Sequence, residues 1–254
     1  MPPLNPHPSQ SLTSKEAPLP YRPRTTPHLP ATAIPSPTTK AECSFTQLQS
    51  VLHPSLFDAV LALNYKNMTP VQAKAILPLL SPSRPDAIVQ ARTGTGKTLA
   101  YLLPALHHML SAGDAMTRRK VAVLVIAPTR ELAGQIAVDA KLLLAQTQHS
   151  VIHAVGGTVR KNEERRIQKP AGSRVIVGTP GRLLEHLSMQ PFWRLTRQLD
   201  TLIVDEADHL FDLGFKAELE KITALLPSPK DRPRQTLLFS ATIPPTSRPK
   251  PPTS

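Results

Sequence analysis

The sequence has little of several things, and each scarcity excludes something. One cysteine, Cys43, among 254 residues leaves no partner for an internal disulfide and no Cys-rich metal centre. No run of 18 apolar residues occurs, so nothing in it spans a membrane as a helix. Acidic residues are in deficit: 18 Asp+Glu against 30 Lys+Arg give a formal charge of +12. That balance suits a polyanionic partner such as nucleic acid, with plain basic solubility charge as the alternative. Aromatics are only 4%, and glycine is absent until Gly94. Even so, 40% hydrophobic content is enough for a buried core in at least part of the chain.

Proline is plentiful, and its 29 residues must be clustered if a packed domain is to exist. Residues 1–42, beginning "MPPLNPHPSQ", are rich in Pro, Ser and Thr without apolar periodicity, and are expected to be disordered. Their charges, Lys15, Arg22, Arg24 and Lys40 against Glu16, weakly resemble a mitochondrial transit segment, although proline at this density opposes the amphipathic helix such a segment forms. A second proline-rich stretch, 244–254, is expected to be a disordered tail. The domain expected between them is 43–243.

Within it, six short β-branched runs read as buried strands: "DAIVQ" (Asp86–Gln90), "VAVLVIA" (Val121–Ala127), "VIHAV" (Val151–Val155), "RVIVG" (Arg174–Gly178), "TLIVD" (Thr201–Asp205) and "TLLF" (Thr236–Phe239). Helical spacing fills the gaps, as in "TRELAGQIAVDAKLLLAQ", where Leu132, Ile136, Leu142 and Leu143 fall near one face. Alternating strands and helices predict an α/β fold, a mostly parallel sheet covered by helices on both sides.

In such a sheet, ligands bind beyond the carboxyl ends of strands, and "QARTGTGKTLAY" begins at such an end. Gly94 and Gly96 permit backbone conformations that turn successive N–H groups inward onto phosphate oxygens. Lys97 would reach the β- and γ-phosphates, Thr98 would give its hydroxyl to Mg²⁺, and a helix starting near Lys97 would add its positive end. The general phosphate-loop pattern opens on Gly where this chain has Ala91, and an ordinary strand-to-helix connection is the alternative. "TLIVDEADHL" then places Asp205 and Glu206 together at a strand end. Two adjacent carboxylates there are costly unless used. Asp205 suits Mg²⁺, and Glu206 is placed to orient or deprotonate a water. The alternatives are a solvated acidic turn or a helix N-cap by Asp205 or Asp208.

Together these motifs are similar to the first RecA-like domain of the DEAD-box ATP-dependent RNA helicases. The matching elements stand in the family's order: Phe45, "YKNMTPVQ", "ARTGTGKT", "PTRELA", the Gly156-Gly157 pair, "TPGR", "DEAD" and "SAT". Ala91 is what this family has in its phosphate loop. The resemblance implies a RecA-like P-loop NTPase fold, with ATP held by Ala91, Arg92, Thr93, Gly94, Thr95, Gly96, Lys97 and Thr98 and with Mg²⁺ on Thr98 and Asp205. It implies adenine recognition by Gln72, whose amide can pair bidentately with the N6/N7 edge, and stacking by Phe45 or Tyr65, with core packing the alternative for either ring. Asn64 stands where the family has Gly, and Asn tolerates the positive φ of that turn.

RNA backbone contacts are implied for Pro128, Thr129, Arg130, Gly156, Gly157, Thr179, Pro180, Gly181 and Arg182; a helix brace by Arg130 with Glu131, or a plain glycine turn, are the alternatives. Ser240 and Thr242 would tie hydrolysis to RNA unwinding by bonding the "DEAD" carboxylates, Asp208 among them; hydroxyls bonding local backbone are the alternative. Catalysis falls to Glu206, Asp205 and Lys97. Family members carry a second RecA-like domain beyond "SAT" with arginine fingers, whereas only Arg248 follows Ile243 here. The chain is therefore expected to bind ATP and RNA, to hydrolyse slowly and not to unwind duplex alone. A non-catalytic RNA- or partner-binding regulatory fragment is the alternative function. The stretches "MTPVQ" and "QTLLFSATIP" resemble a fungal branch with mitochondrial splicing chaperones, which favours the mitochondrial matrix over nucleus or cytoplasm.

Overall fold

A computed structural model describes residues 44–113, 121–167 and 173–242. The leader 1–42 and the tail 244–254 lie outside the described residues, as do Cys43 and Ile243, the ends of the expected domain.

Strand and helix alternate as the sequence predicts. A 3-10 turn (Phe45–Leu48) leads to α1 (Pro54–Ala62), α2 (Pro70–Leu79), β1 (Ala87–Gln90) and α3 (Lys97–Ser111). Then follow β2 (Val123–Ile126), α4 (Arg130–Leu143), β3 (Ser150–Ala154), α5 (Arg160–Ile167), β4 (Ser173–Gly178) and α6 (Pro180–Leu187). The described chain ends with α7 (Gln190–Thr196), β5 (Thr201–Val204), α8 (Ala207–Asp212), α9 (Lys216–Leu225) and β6 (Gln235–Ser240). Local chemistry starts these helices. Pro54, Pro70 and Pro180 stand in first turns, where a missing N–H costs nothing. Thr69 and Thr129 cap α2 and α4 with their hydroxyls, and Thr69 with Gln72 forms a reciprocal capping box.

The six strands form one sheet in the order β1-β6-β5-β2-β4-β3, and every pairing is parallel. Both faces are covered, which explains why β2 and β5 are buried at every position and apolar at all but Thr201. Val123, Val125, Val175, Val177, Ile203 and Phe239 face the core closed by α1–α4. Leu124, Ile126, Ile176, Leu202 and Val204 face the opposite core, closed by Leu183, Leu187, Leu210 and Ile222 among others. The α4 face differs from expectation at one residue. Ile136 and Leu143 are buried, but Leu142 is 45% exposed. At 100° per residue Leu142 lies a full 100° from Leu143, so only one of the adjacent pair can point inward.

Because all strands run the same way, their carboxyl ends share one rim. Gln90, Val204 and Ser240 end β1, β5 and β6 on one half of it; Ile126, Gly178 and Ala154 end β2, β4 and β3 on the other. Apart from Phe45, Tyr65 and Gln72, which precede β1, the predicted nucleotide residues follow the first set and the predicted RNA residues the second.

Candidate active site

The loop after β1 turns sharply because two of its residues are glycines at positive φ, Gly94 at 79° and Gly96 at 87°. Its start is pinned to β6 by the Ala91 amide, which donates to the Ser240 carbonyl at 2.9 Å. Arg92, Thr93 and Gly94 are exposed, and Thr95 donates its hydroxyl to the Arg92 carbonyl at 2.7 Å, closing the turn on itself. Gly96 is the N-cap of α3, so the free N–H groups of the first turn, which includes Thr98, face out of the loop.

Gly96 must be glycine for a second reason. A methyl group on it would come 2.6 Å from Gln72 Nε2. The Gln72 amide lies beneath the loop: Nε2 donates to the Gly96 carbonyl at 3.1 Å, and Oε1 accepts the Thr69 amide at 2.8 Å. One N–H and one lone pair of the predicted adenine reader are thus used in holding the loop, and one of each remains. Of the two rings proposed to stack on a base, Phe45 is 1% exposed and is core, whereas Tyr65, 6.2 Å away between ring centroids, is 40% exposed. Of the two rings, only Tyr65 presents surface that a base could meet. Asn64 takes the positive φ expected of it, 59°.

Lys97 points inward from the first turn of α3 and is only 6% exposed. Its Nζ lies 3.7 Å from Asp205 Oδ1 and 3.9 Å from Glu206 Oε1, yet makes no hydrogen bond. A buried ammonium without acceptors is expensive, and its three N–H bonds are available to an anion. Asp205, 2% exposed, accepts the Glu206 amide at 2.9 Å on Oδ1 and the Tyr101 hydroxyl at 2.8 Å on Oδ2. Burial pushes its carboxyl above the ordinary value, opposed by Lys97, the Tyr101 hydroxyl and the Glu206 amide. Burial, then the Asp205 charge, hold the Tyr101 phenol well above its ordinary range, so it stays a donor. Tyr101 was not foreseen from the sequence. Its signal is the spacing Lys97–Tyr101, i to i+4, which sets both side chains on one helix face.

Glu206 caps α8 in the left-handed region, φ 47° and ψ 54°, a strained conformation for a residue with a Cβ. The N-cap position belongs to Glu206, whose side chain makes no capping bond, so neither Asp205 nor Asp208 is the N-cap, although Asp208 Oδ1 accepts the His209 amide at 3.1 Å. Instead Glu206 Oε1 accepts the Thr93 hydroxyl at 2.8 Å, and Oε2 lies 3.3 Å from His209 Nδ1. Asp208 ties α8 to the end of β6. Its amide donates to Ser240 Oγ at 3.2 Å, and its Oδ2 accepts the Thr242 amide at 2.9 Å and hydroxyl at 3.1 Å. Burial alone would raise this carboxyl, but the Ser240 and Thr242 hydroxyls and the Thr242 and His209 amides hold it below the ordinary value. The predicted "SAT"–"DEAD" contact is therefore present, at Asp208.

On the other half of the rim, Pro128 is buried just before the Thr129 cap, and Thr129 Oγ1 accepts the Leu132 amide at 3.2 Å. The exposed Arg130 lies over the glycine pair: a methyl group at Gly156 would come 3.0 Å from its Nη2, and one at Gly157 2.9 Å from its Nη1. The pair is thus more than a turn, since side chains there would displace the guanidinium. Thr179 caps α6 without a side-chain bond, Pro180 opens the helix, and Gly181 has open space in front of it.

Arg182 departs from expectation. Its Nη1 donates to Glu163 at 3.1 and 3.2 Å and to the Thr158 hydroxyl at 3.3 Å, its Nη2 donates to the Thr158 carbonyl at 3.2 Å, and its Nε pairs with Glu185 at 3.2 Å. With its side chain 9% exposed, this guanidinium is engaged by Glu163, Thr158 and Glu185. Glu163 also accepts the Thr158 hydroxyl and lies 2.6 Å from Nε2 of the buried His186. Glu163 and His186 escaped the sequence analysis because nothing local links positions 23 residues apart.

Among the described residues no group of three His, Cys, Asp or Glu side chains could hold a metal ion, and no helix is long and apolar enough to cross a membrane. One buried carboxylate and one hydroxyl suit a hard cation that takes its remaining ligands from phosphate and water.

A protein-family comparison matches residues 69–248 to the DEAD/DEAH box helicase model. The ATP-dependent RNA helicase mss116, mitochondrial, of Aspergillus oryzae is 43% identical over 204 residues, covering 79% of this chain and 32% of that protein. The ATP-dependent RNA helicase DDX18 of Homo sapiens is 38% identical over 201 residues, 79% of this chain and 28% of that protein. Among solved structures, Mss116p bound to ssRNA and AMP-PNP superposes with a TM-score of 0.74 at 32% identity, covering 84% of this chain and 43% of that one. The chain spans about a third of the length of these curated relatives.

Proposed function

The chain belongs to the DEAD/DEAH box helicase family, and from that premise we propose that it binds ATP with Mg²⁺ at the ends of β1, β5 and β6, hydrolyses it, and holds an RNA strand by its backbone at the ends of β2, β4 and β3. The observation that carries this is Lys97: a buried ammonium with no hydrogen-bond acceptor, at the mouth of a loop whose amides point outward. Terminal phosphates provide the missing acceptors.

Each residue then has a chemical task. The amides of Gly94 to Thr98 and the positive end of α3 receive the phosphates. The Thr98 hydroxyl and Asp205 would hold Mg²⁺, which when bound would supply charge neutralisation to the phosphates. Glu206, steadied by Thr93 and His209, orients a water and takes its proton as it attacks the γ-phosphate. Asp208, bonded to Ser240 and Thr242, links this half of the rim to the chain leaving β6. Gln72 and Tyr65 recognise the adenine. Arg130 and the amides near Gly156 and Gly181 meet phosphates of the strand, contacts indifferent to base sequence. The activities proposed for these residues are ATP and RNA binding with ATP hydrolysis. The mitochondrial matrix is the proposed site of action, supported by the name of the Aspergillus relative; a fluorescent fusion found only in nucleus or cytoplasm would reject it.

Titration calorimetry with AMP-PNP and Mg²⁺ tests the reading. A hydrogen bond to a charged group is worth about 1.5–3 kcal/mol, so Lys97→Ala should weaken binding about ten- to a hundredfold. A wild-type chain without magnesium-dependent affinity for adenine nucleotides removes the proposal. A biological effect that survives Lys97→Ala would instead point to the non-catalytic regulator.

A further inference from the structure

With Arg182 engaged by Glu163 and Glu185, Arg130 is the exposed guanidinium of the predicted RNA loops, and α5 offers further positive charge beside it. This helix begins at Arg160, three residues after Gly157, within about 10 Å of the glycine pair by chain length. Its sequence is "RKNEERRI". Both acids are already neutralised: Glu163 is buried against Arg182 and His186, and Glu164 pairs with Arg160 at 2.9 Å. Lys161, Arg165 and Arg166 are exposed and carry no ion pair among the described residues. At 100° per residue these three fall within an arc of about 140°, opposite the buried Glu163 and Ile167.

Two features argue against a merely solvated face. Lys161 and Arg165 stand at i and i+4, where like charges repel, so the arrangement destabilises the free helix and is relieved by an anion. The helix is also held rigidly, because the Glu163 bonds to Thr158, Arg182 and His186 fasten it to the loop after β3 and to α6. The helix that carries the three cations is thus fastened beside the glycine pair and Gly181.

We propose that the outward face of α5, through Lys161, Arg165 and Arg166, is a second RNA-phosphate site that receives the strand after it leaves the loops at Arg130, Gly156 and Gly181. The inference rests on the proposed RNA binding and deepens it. It makes the footprint longer than the loops alone require, and makes the added affinity purely electrostatic.

The test is fluorescence anisotropy of the 254-residue chain with uridine oligonucleotides of two lengths, one of about six nucleotides and one of about twenty, across a salt series. Lys161→Gln/Arg165→Gln/Arg166→Gln should leave the short oligonucleotide unaffected. On the long one the slope of log K against log salt should fall by about 2, three phosphate contacts at about 0.7 each on single-stranded nucleic acid. Each single substitution should give about a third of that, and AMP-PNP affinity should be unchanged, which excludes misfolding. A control triple of exposed lysines, Lys141→Gln/Lys216→Gln/Lys221→Gln, should leave both slopes alone. An unchanged slope on the long oligonucleotide, or an equal fall in the control, overturns the inference while binding of the short one stands. Failure of the native chain to bind the short oligonucleotide overturns the proposed function, and this site with it.

Discussion

Replacing Tyr101 by Phe removes one oxygen from the centre of the site and little else. The ring packs edge-on against Phe239, with centroids 5.1 Å apart, and Phe preserves that contact. What is lost is the 2.8 Å hydrogen bond to Asp205 Oδ2, inside a region where water cannot replace it. A buried carboxylate that loses such a donor costs about 1.5–3 kcal/mol. For a domain of this size that corresponds to a fall in Tm of about 4–8 °C, taking about 2 kcal/mol and 2–4 °C per kcal/mol. The loss depends on pH, with a definite sign. Asp205 already sits above its ordinary value of 3.8 through burial. A group raised in this way contributes stability that is complete below 3.8 and lost as pH rises through its folded value. Tyr101 opposes that rise by bonding the charged form, so Tyr101→Phe raises the carboxyl further. The gap between wild type and variant should be full where Asp205 is ionised, and should narrow as acid protonates it. Thermal unfolding followed by circular dichroism, without nucleotide or magnesium, at pH 8 and at successively lower pH measures this. An unchanged Tm at pH 8, or a gap undiminished in acid, would refute the account of how Asp205 is held.

Gly96→Ala places a methyl group 2.6 Å from Gln72 Nε2 at a φ of 87°, so AMP-PNP affinity should fall at least tenfold by calorimetry, with a stability loss of about 1–2 kcal/mol for the left-handed conformation. Arg182→Lys should unfold the α5–α6 junction earlier, costing about 3 kcal/mol in urea denaturation, because one ammonium cannot reach Glu163, the Thr158 carbonyl and Glu185 at once as Nη1, Nη2 and Nε do. Arg130→Ala, by contrast, should leave the urea midpoint alone and weaken RNA binding; equal behaviour of the two arginine variants would contradict their assigned roles. Thr242→Val removes a donor from Asp208, so its carboxyl should titrate higher by NMR. Since that group is held low, the link it makes is present at neutral pH and is lost as pH falls below about 3.8. A titration unchanged by Thr242→Val would show the contact to be idle.

All six strands were legible because buried parallel strands are apolar at consecutive positions and are bounded by turn residues. The loop after β1, Asp205 with Glu206, and the positive φ of Asn64 were legible for the same kind of reason, since each depends on residues a few positions apart. What escaped depends on contacts between distant segments. Tyr101 meets Asp205 across 104 residues, and Arg182 finds Glu163 across 19. No periodicity reveals that a surface-type arginine has a buried acid waiting for it. Phe45 and Leu142 show the converse, because local pattern gives the residue type and tertiary packing decides which way the ring or side chain turns.

Among the described strands, β1 lies at the sheet edge and pairs with β6 alone, Ala87 aligning with Leu237. The strand that launches the phosphate loop is therefore translated first and zipped last, after a closure spanning 150 residues. A nascent polypeptide still on the ribosome, with Gln235–Ser240 inside the exit tunnel, has the whole loop and Gln72 in hand but lacks the Ser240 carbonyl that pins the start of the loop. The anchorage of the loop is then completed only when β6 docks.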